Sequence, residues 1–351
     1  IMPLPSFTGT LGIKRAAHLL RRAAFGGTKA DIDTFAALTA PAAVSNLFNI
    51  SLPDPVLPVD PLTNLEWITN GASNSGSEDS ELQEYFKGWF IGQMLGSGQA
   101  LNVKLSYQVR EKIVLFMHTH FTTKQSVVSN SRSLYFQNQL FRIYTLDRNL
   151  DVEFNFKNLT KKICLDNAML KFLDGRLNVK GNPNENFARE LMELYTIGRG
   201  LEGTLPEATE QGDYFNFKEE DVQAAARILS GFDIDEDFIT IDQETTLPRG
   251  RARGGINATQ HDTGSKQFSE RLDNAVINPD PVLIADPLVT NEEVAIDEIS
   301  QLIELLYSKN ETARHICRKI YRFFVYHDIT SEIESNIIAE MANTFISSGY
   351  K

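Results

Sequence analysis

Cysteine is nearly absent: the 351 residues contain two, Cys164 and Cys317. Two thiols cannot build a disulfide scaffold, and their separation matches no metal-binding spacing. Each sits in an apolar helical context, KKICLDN and ARHICRK, where a small thiol packs well in a core. Long apolar runs are missing too. No stretch approaches the roughly 18 uninterrupted apolar residues of a membrane span, and the opening IMPLPSFTGTLG lacks the charged and apolar regions of a signal peptide. Positive charge is in deficit, with 34 Lys and Arg against 46 Asp and Glu and a formal charge of −12. That balance argues against nucleic acid or an anionic membrane as the main partner, although a local basic patch could still bind a small anion. Catalytic signatures are absent as well: no GxSxG elbow, Walker loop, GxGxxG, HExxH or CxxC, and no ExxH pair of helical di-iron sites.

What is present is helix. The chain is 42% hydrophobic and 23% charged, which excludes wholesale disorder, and it is long enough to bury one large core or two modest ones. KRAAHLLRRAAFG ends at Gly26, a good helix stop, and Thr28 with Asp31 opens a second helix. Residues 52–80, rich in Pro, Asn, Ser and Gly, read as a surface loop. Leu82, Tyr85, Phe86, Trp89, Phe90 and Met94 then recur at helical spacing, as do Val109, Ile113, Phe116, Met117 and His120. Further helices are predicted over 134–144, 155–165, 167–173 and 184–198, the last opened by Asn182 and Pro183. Asn216 with Glu219 starts the helix that stops at Gly231, and three more close the chain over 292–308, 311–326 and 331–347. Between them, 232–291 loses the helical period and reads as an irregular insertion, with at most a small β element near 232–241. The expected fold class is therefore mainly α: one multi-helix, bundle-like globular domain over 1–351 with long loops. The stop directly after a helical pattern predicts a natural chain that continues beyond Lys351.

The 184–198 helix divides into two faces. Phe187, Ala188, Leu191, Met192, Leu194 and Tyr195 cover one half, and Glu185, Asn186, Arg189, Glu190, Glu193 and Thr196 the other. The polar half is either a face laced with i,i+4 ion pairs or a carboxylate wall lining a cleft. On the second reading Glu190 and Glu193 are candidate catalytic carboxylates with Arg189 beside them, and Asn184 and Asn186 are candidate binding residues. The preceding loop, with Asp174, Asn178 and Asn182, has the oxygens of a calcium site but not EF-hand spacing, and tight turns use the same residues. His118 and His120 are candidate metal ligands, yet on a continuous helix i and i+2 point about 200° apart, so they share an ion only if the helix ends near His118. If it continues, His118 lies one heptad from Glu111 and His120 faces the core. Asp233, Asp235 and Asp237 alternate as on the exposed face of a strand. HDTGSK adds His261 as a third imidazole and Asp262 and Lys266 as binding candidates on a polar loop. Lys14, Arg15, His18, Arg21 and Arg22 make the first helix basic. It could bind an anion or complement the acidic helix, with Arg22 and Arg110 as guanidinium partners for Glu190 and Glu193.

In order along the chain, HLLRRAAFGGT, REKIVLFMHTHFTT, MLKFLDGRLNVKGNPNENFARELMELYTIGRG, EEDVQAAARILSGF and HDTGSKQF resemble the bacterial family known as domain of unknown function 1800, from about Lys14 onward. NENFAREL is the most specific segment. The histidine motif, nearer FWHNHF in that family, departs at Met117 and Thr119 but keeps both histidines, and the usual LTGW is LSGF here. The resemblance implies an exported protein with a sulfatase- or phosphatase-like partner protein, and no established reaction.

Two functions follow as expectations. One is an enzyme or ligand-binding domain whose cleft gathers His118, His120, Asn186, Arg189, Glu190, Glu193, His261 and Asp262, with a divalent metal as the cofactor and Glu190 or Glu193 as general base in hydrolysis. The other is a non-catalytic assembly or carrier protein for exported or surface material, in which the same residues form an internally satisfied network.

Overall fold

Several helix starts follow the capping signals, although the helix over Glu219–Ile228 is capped at Lys218 by the Asp221 carboxylate and not at Asn216. Thr28 accepts the amide of Asp31 while the Asp31 carboxylate takes the Thr28 amide, and Thr290 with Glu293 repeats the arrangement; Asn130, Asn155 and Asp166 cap three more helices with their side chains. The computed structural model describes residues 7–48, 51–68, 75–145, 154–203, 205 and 211–351. The opening residues 1–6 and residues 69–74 of the stretch read as a loop lie outside the described residues.

In chain order the helices are α1 (Gly12–Ala23), α2 (Lys29–Ala36), α3 (Ala40–Phe48), α4 (Asp79–Met94), α5 (Leu101–His120), α6 (Gln125–Val128), α7 (Ser131–Ile143), α8 (Phe156–Ile163), α9 (Asn167–Phe172), α10 (Asn186–Glu190), α11 (Glu219–Ile228), α12 (Pro281–Ala285), α13 (Asn291–Tyr307), α14 (Asn310–Phe324), α15 (Ser331–Ile333) and α16 (Ala339–Ser347). The fold is mainly α. Its β structure among the described residues consists of three antiparallel pairs of two-residue strands, with Val59 opposite Glu66, Phe232 opposite Ala252 and Lys266 opposite Ile277. No helix of the described residues is long and apolar enough to cross a membrane.

The main core is made where α5, α7, α8, α10, α11 and α13 meet, around Phe141, Leu159, Phe187, Leu191, Ile228 and Leu302. Each such side chain contributes about 1.5–3 kcal/mol by leaving water. Smaller clusters lie under α1–α3 around Leu20 and Leu47, around Trp67, Phe86 and Phe238, and between α14 and α16 around Cys317 and Ile338. Cys164 and Cys317 are both buried and unpaired with each other.

Two irregular stretches hold more structure than their composition announces. Within 52–80, Asp60 and Trp67 are fully buried, and the Asp60 carboxylate accepts the amides of Leu62, Gly76 and Ser77. Within 232–291, Phe232, Phe268, Leu272 and Ile277 belong to the main core. The alternating aspartates do not form an exposed strand face. Only Phe232–Asp233 pairs as strand, and Asp235, fully buried, turns inward to accept the amides of Ile239 at 2.9 Å and Thr240 at 2.6 Å. A carboxylate that ties down two backbone amides a few residues on makes a turn, which competes with strand pairing.

Candidate functional site

The 184–198 segment is not one α-helix. After α10 the chain makes a π turn over Leu191–Tyr195. The Thr196 hydroxyl donates to the Leu191 carbonyl at 2.7 Å, and the Gly198 amide reaches Met192 at 2.8 Å. The wider turn displaces every later residue from α register. Leu194, expected at the centre of the apolar half, is 43% exposed, while Thr196, expected on the polar half, is fully buried. The helix also begins later than Asn182 and Pro183 imply. Asn184 accepts the Asn186 amide at 3.0 Å and Asn178 accepts the Asn184 amide at 3.1 Å, so the asparagine oxygens organise the entry turn. Asn186 itself donates to the Leu173 carbonyl.

The charged residues of this segment find separate partners. Arg189 grips Glu219 of α11 through both terminal nitrogens, at 2.5 and 2.9 Å, and also meets Glu185 and the Tyr214 hydroxyl. Hydrogen bonding from Arg189 holds the Glu219 carboxyl down at about 2. Glu193 pairs with Arg199 at 2.5 Å. Glu190 forms no ion pair among the described residues; burial, and then the charge of Glu193, push its pKa up.

A π turn leaves carbonyls poorly placed for their own helix, and side chains of other elements take them. The Leu194 carbonyl receives Lys319 and, at 3.0 Å, His315, both from α14. His120 reaches the Tyr195 carbonyl at 3.0 Å. Burial lowers Lys319 to about 8 and His315 to about 3, and it lowers His120 well below the usual imidazole range. Gly198 is required here. Its φ of +63° disfavours a side chain, and a Cβ would stand 2.2 Å from the His315 ring.

The three candidate metal ligands stand apart. Helix α5 runs unbroken to His120, so His118 and His120 lie on different faces. His118 meets Asn138 at 3.0 Å between Phe90 and Phe141, with burial pulling its pKa down to about 3. His261 sits on its own loop. Among the described residues no group of three or more His, Cys, Asp and Glu side chains is placed to hold a metal ion.

The guanidinium partners differ from expectation as well. Arg22 donates to the Phe323 and Phe324 carbonyls and so closes the end of α14. Arg110 and Arg142 flank Glu111, which is fully buried, and Arg142 binds both carboxylate oxygens, at 3.0 and 2.6 Å. Burial alone would lower Arg142, but Glu111 holds it above its ordinary value.

The HDTGSK loop packs against α11 and α13. His261 Nδ1 donates to the Ser230 carbonyl at 2.9 Å, and Nε2 lies 2.6 Å from Glu298 Oε2. The same oxygen takes the Lys266 ammonium at 2.5 Å. Glu298 and Lys266 are both fully buried. Asp262 pairs with Arg227, which depresses it to about 2. Glu298 escaped the sequence reading, though a signal was there: it interrupts the α13 stripe of Val294, Ala295, Ile299 and Leu302 with an acid. Glu219 reads in the sequence only as a helix-start acid, and Lys319 and His315 carry no signal, because nothing in their own helices marks them as partners of the 184–198 segment.

Among the described residues the sequence candidates therefore occupy several distinct sets of contacts. A large concavity lies elsewhere. It is a cavity of ≈ 740 Å³ between α5, α14 and the chain's closing residues, walled by Ile113, Phe116, Phe156, Phe324, Phe345 and Tyr350, with Thr145, Asn155 and Lys351 among its polar lining.

A family model described as "Protein of unknown function (DUF1800)" matches residues 18–351. No curated protein and no solved structure matches the chain.

Proposed function

The chain belongs to the DUF1800 family, and we propose that it works as a non-catalytic binding or carrier domain that takes an apolar ligand between α5 and α14. The observation that carries this reading is the ≈ 740 Å³ cavity with its largely aromatic and aliphatic wall. Its size falls within the roughly 300–1,000 Å³ of small-molecule sites, which combine apolar walls with a few polar groups that orient the ligand. The polar side chains that would serve catalysis favour the same reading, because their hydrogen bonds close on the protein itself. Arg189, Glu193 and Asp262 are each held by an internal partner of opposite charge, and His261 is hydrogen-bonded to the Ser230 carbonyl and Glu298. A metal-assisted hydrolase would need imidazoles and carboxylates converging on one point, and these diverge.

A fluorescent fatty acid titrated into the purified protein tests the proposal. Saturable binding is expected, together with a ligand-dependent rise in the unfolding temperature. At a free ligand concentration 100 times Kd, linkage alone adds about 2.7 kcal/mol. Ala23→Trp projects a large ring from the cavity wall and should abolish binding while the protein stays folded. Binding unchanged by Ala23→Trp would refute the site. Stoichiometric metal in purified protein, lost in both His118→Ala and His120→Ala, would instead favour the hydrolase.

A further inference from the structure

The α1–α2 corner holds a second concavity, unrelated to the apolar cavity. It is a groove of ≈ 600 Å³ lined by Ala17, Ile32 and the exposed Ile13, by the Gly26–Gly27 turn, and by the basic side chains of Lys14, His18 and Arg21. The three basic side chains are exposed and occupy successive turns of α1. None of them meets a carboxylate among the described residues. The acids nearest in sequence are already engaged: Asp31 accepts the amide and hydroxyl of Thr28, and Asp33 pairs with Lys29.

What sets the cluster apart is its density: Lys14, Arg15, His18, Arg21 and Arg22 all fall on one helix of a chain that carries a net charge of −12. Helix stability accounts for only part of the cluster: Arg21 lies in the last turn of α1, where the helix dipole favours a cation, but Lys14 lies in the first turn, where it disfavours one. Arg22, on the inner side of the same helix, has a structural bond to the end of α14. Lys14, His18 and Arg21 have none among the described residues.

From this groove we infer a binding site for a soluble polyanion, a small ligand bearing two or more linked phosphate- or sulfate-type oxyanions. Lys14 and Arg21 lie about 10 Å apart along the helix axis, a span along which a short chain of linked oxyanions can place one oxyanion at each cation. None of these residues lines the apolar cavity, so either proposal can fail without the other.

Calorimetric titration of the full chain with tripolyphosphate at low ionic strength is the test, with orthophosphate and phosphatidylglycerol vesicles as parallel probes. Tripolyphosphate should bind at least about tenfold more tightly than orthophosphate. Lys14→Gln and Arg21→Gln should each weaken it about fivefold, the effect of one lost charge contact in high dielectric. Both sites are exposed, so unchanged circular dichroism and unfolding temperature are expected in the variants. As a measurement that needs no variant, the His18 ring resonances should shift on titration while those of the other five histidines stay in place. No binding at about 1 mM tripolyphosphate, equal binding by the Lys14→Gln/Arg21→Gln double variant, or retention on vesicles without tripolyphosphate binding would each overturn the inference.

Discussion

Replacing Glu298 with alanine removes the carboxylate that Lys266 and His261 share. Glu298 and Lys266 are wholly buried, and Oε2 takes the ammonium at 2.5 Å and the imidazole at 2.6 Å. Without the carboxylate, Lys266 keeps the Asp262 carbonyl as a partner but loses its buried countercharge. Breaking a buried pair from one side costs about 3–5 kcal/mol, because the remaining charge stays desolvated. Spread over the unfolding entropy of a chain this size, that lowers Tm by about 4–7 °C. Removing both charges is different: Glu298→Leu with Lys266→Met replaces the pair by apolar side chains of similar length, and stability should return to within about 2 kcal/mol of the parent. Urea unfolding followed by circular dichroism measures both variants, with an unchanged m-value as the check that the unfolded states are comparable. A single variant within about 1 kcal/mol of the parent, or a double variant as unstable as the sum of the two singles, would refute the argument that this pair is a buried, coupled clasp.

Gly198→Ala should destabilise by about 1–3 kcal/mol through its left-handed backbone and the clash with His315, and His315→Ala should recover the steric part in a double variant read by thermal unfolding. Lys319 gives a pH signature. Its folded pKa is lowered from 10.5 to about 8, so between those values the unfolded chain binds more protons and stability rises with pH. Compared with Lys319→Met, the parent should gain stability from pH 8 to 10; a parallel pair of profiles would contradict the assigned burial. Glu219 works in the opposite window. Its folded pKa is lowered from 4.5 to about 2, so its contribution is present above pH 4.5 and disappears as pH falls through 2, and Arg189→Met should remove that dependence. Cys164 and Cys317 are buried and pushed up to about 12. Native protein should react with a disulfide reagent only as fast as it opens, and unfolded protein should report two thiols at once.

Local signals were legible in the sequence. The Thr28–Asp31 box formed as capping chemistry requires, and the apolar period over 109–120 placed His120 in the core. The π turn was not legible, because periodicity assumes a constant angle per residue and one hydroxyl, that of Thr196, changes it by capturing a carbonyl five residues back. The inward turn at Asp235 was hidden for a related reason: alternation describes a strand only if the carboxylates are free to point outward, and this one had amides within reach. The apolar cavity is least visible of all. Ala23, Phe116, Phe324 and Phe345 come from far-apart helices, and each reads in isolation as an ordinary core residue.

The most recognisable strings in the chain converge on one another's backbone groups. Asn178 of LNVKGNPN donates to the Ala226 carbonyl at 2.7 Å and receives the Gly231 amide of LSGF on its own carbonyl at 2.8 Å. Lys180 donates its amide to Gln260, beside the HDTGSK loop, and His261 of that loop returns to the Ser230 carbonyl. Gly231, at φ +84°, leaves no room for a side chain, since a Cβ would stand 2.5 Å from the His261 amide nitrogen. Three loops brought this close must satisfy one another's backbone groups, and only particular amides, hydroxyls and glycines fit those positions. Such a junction demands residue types as strictly as a reaction would. A distinctive polar motif is therefore weak evidence for catalysis when its hydrogen bonds end on the protein's own carbonyls. Groups that can meet a ligand are the ones whose bonding capacity is not already consumed; Glu190 is one such group in the 184–198 segment, and the aromatic wall between α5 and α14 and the basic side chains of α1 are the surfaces our two proposals assign to ligands.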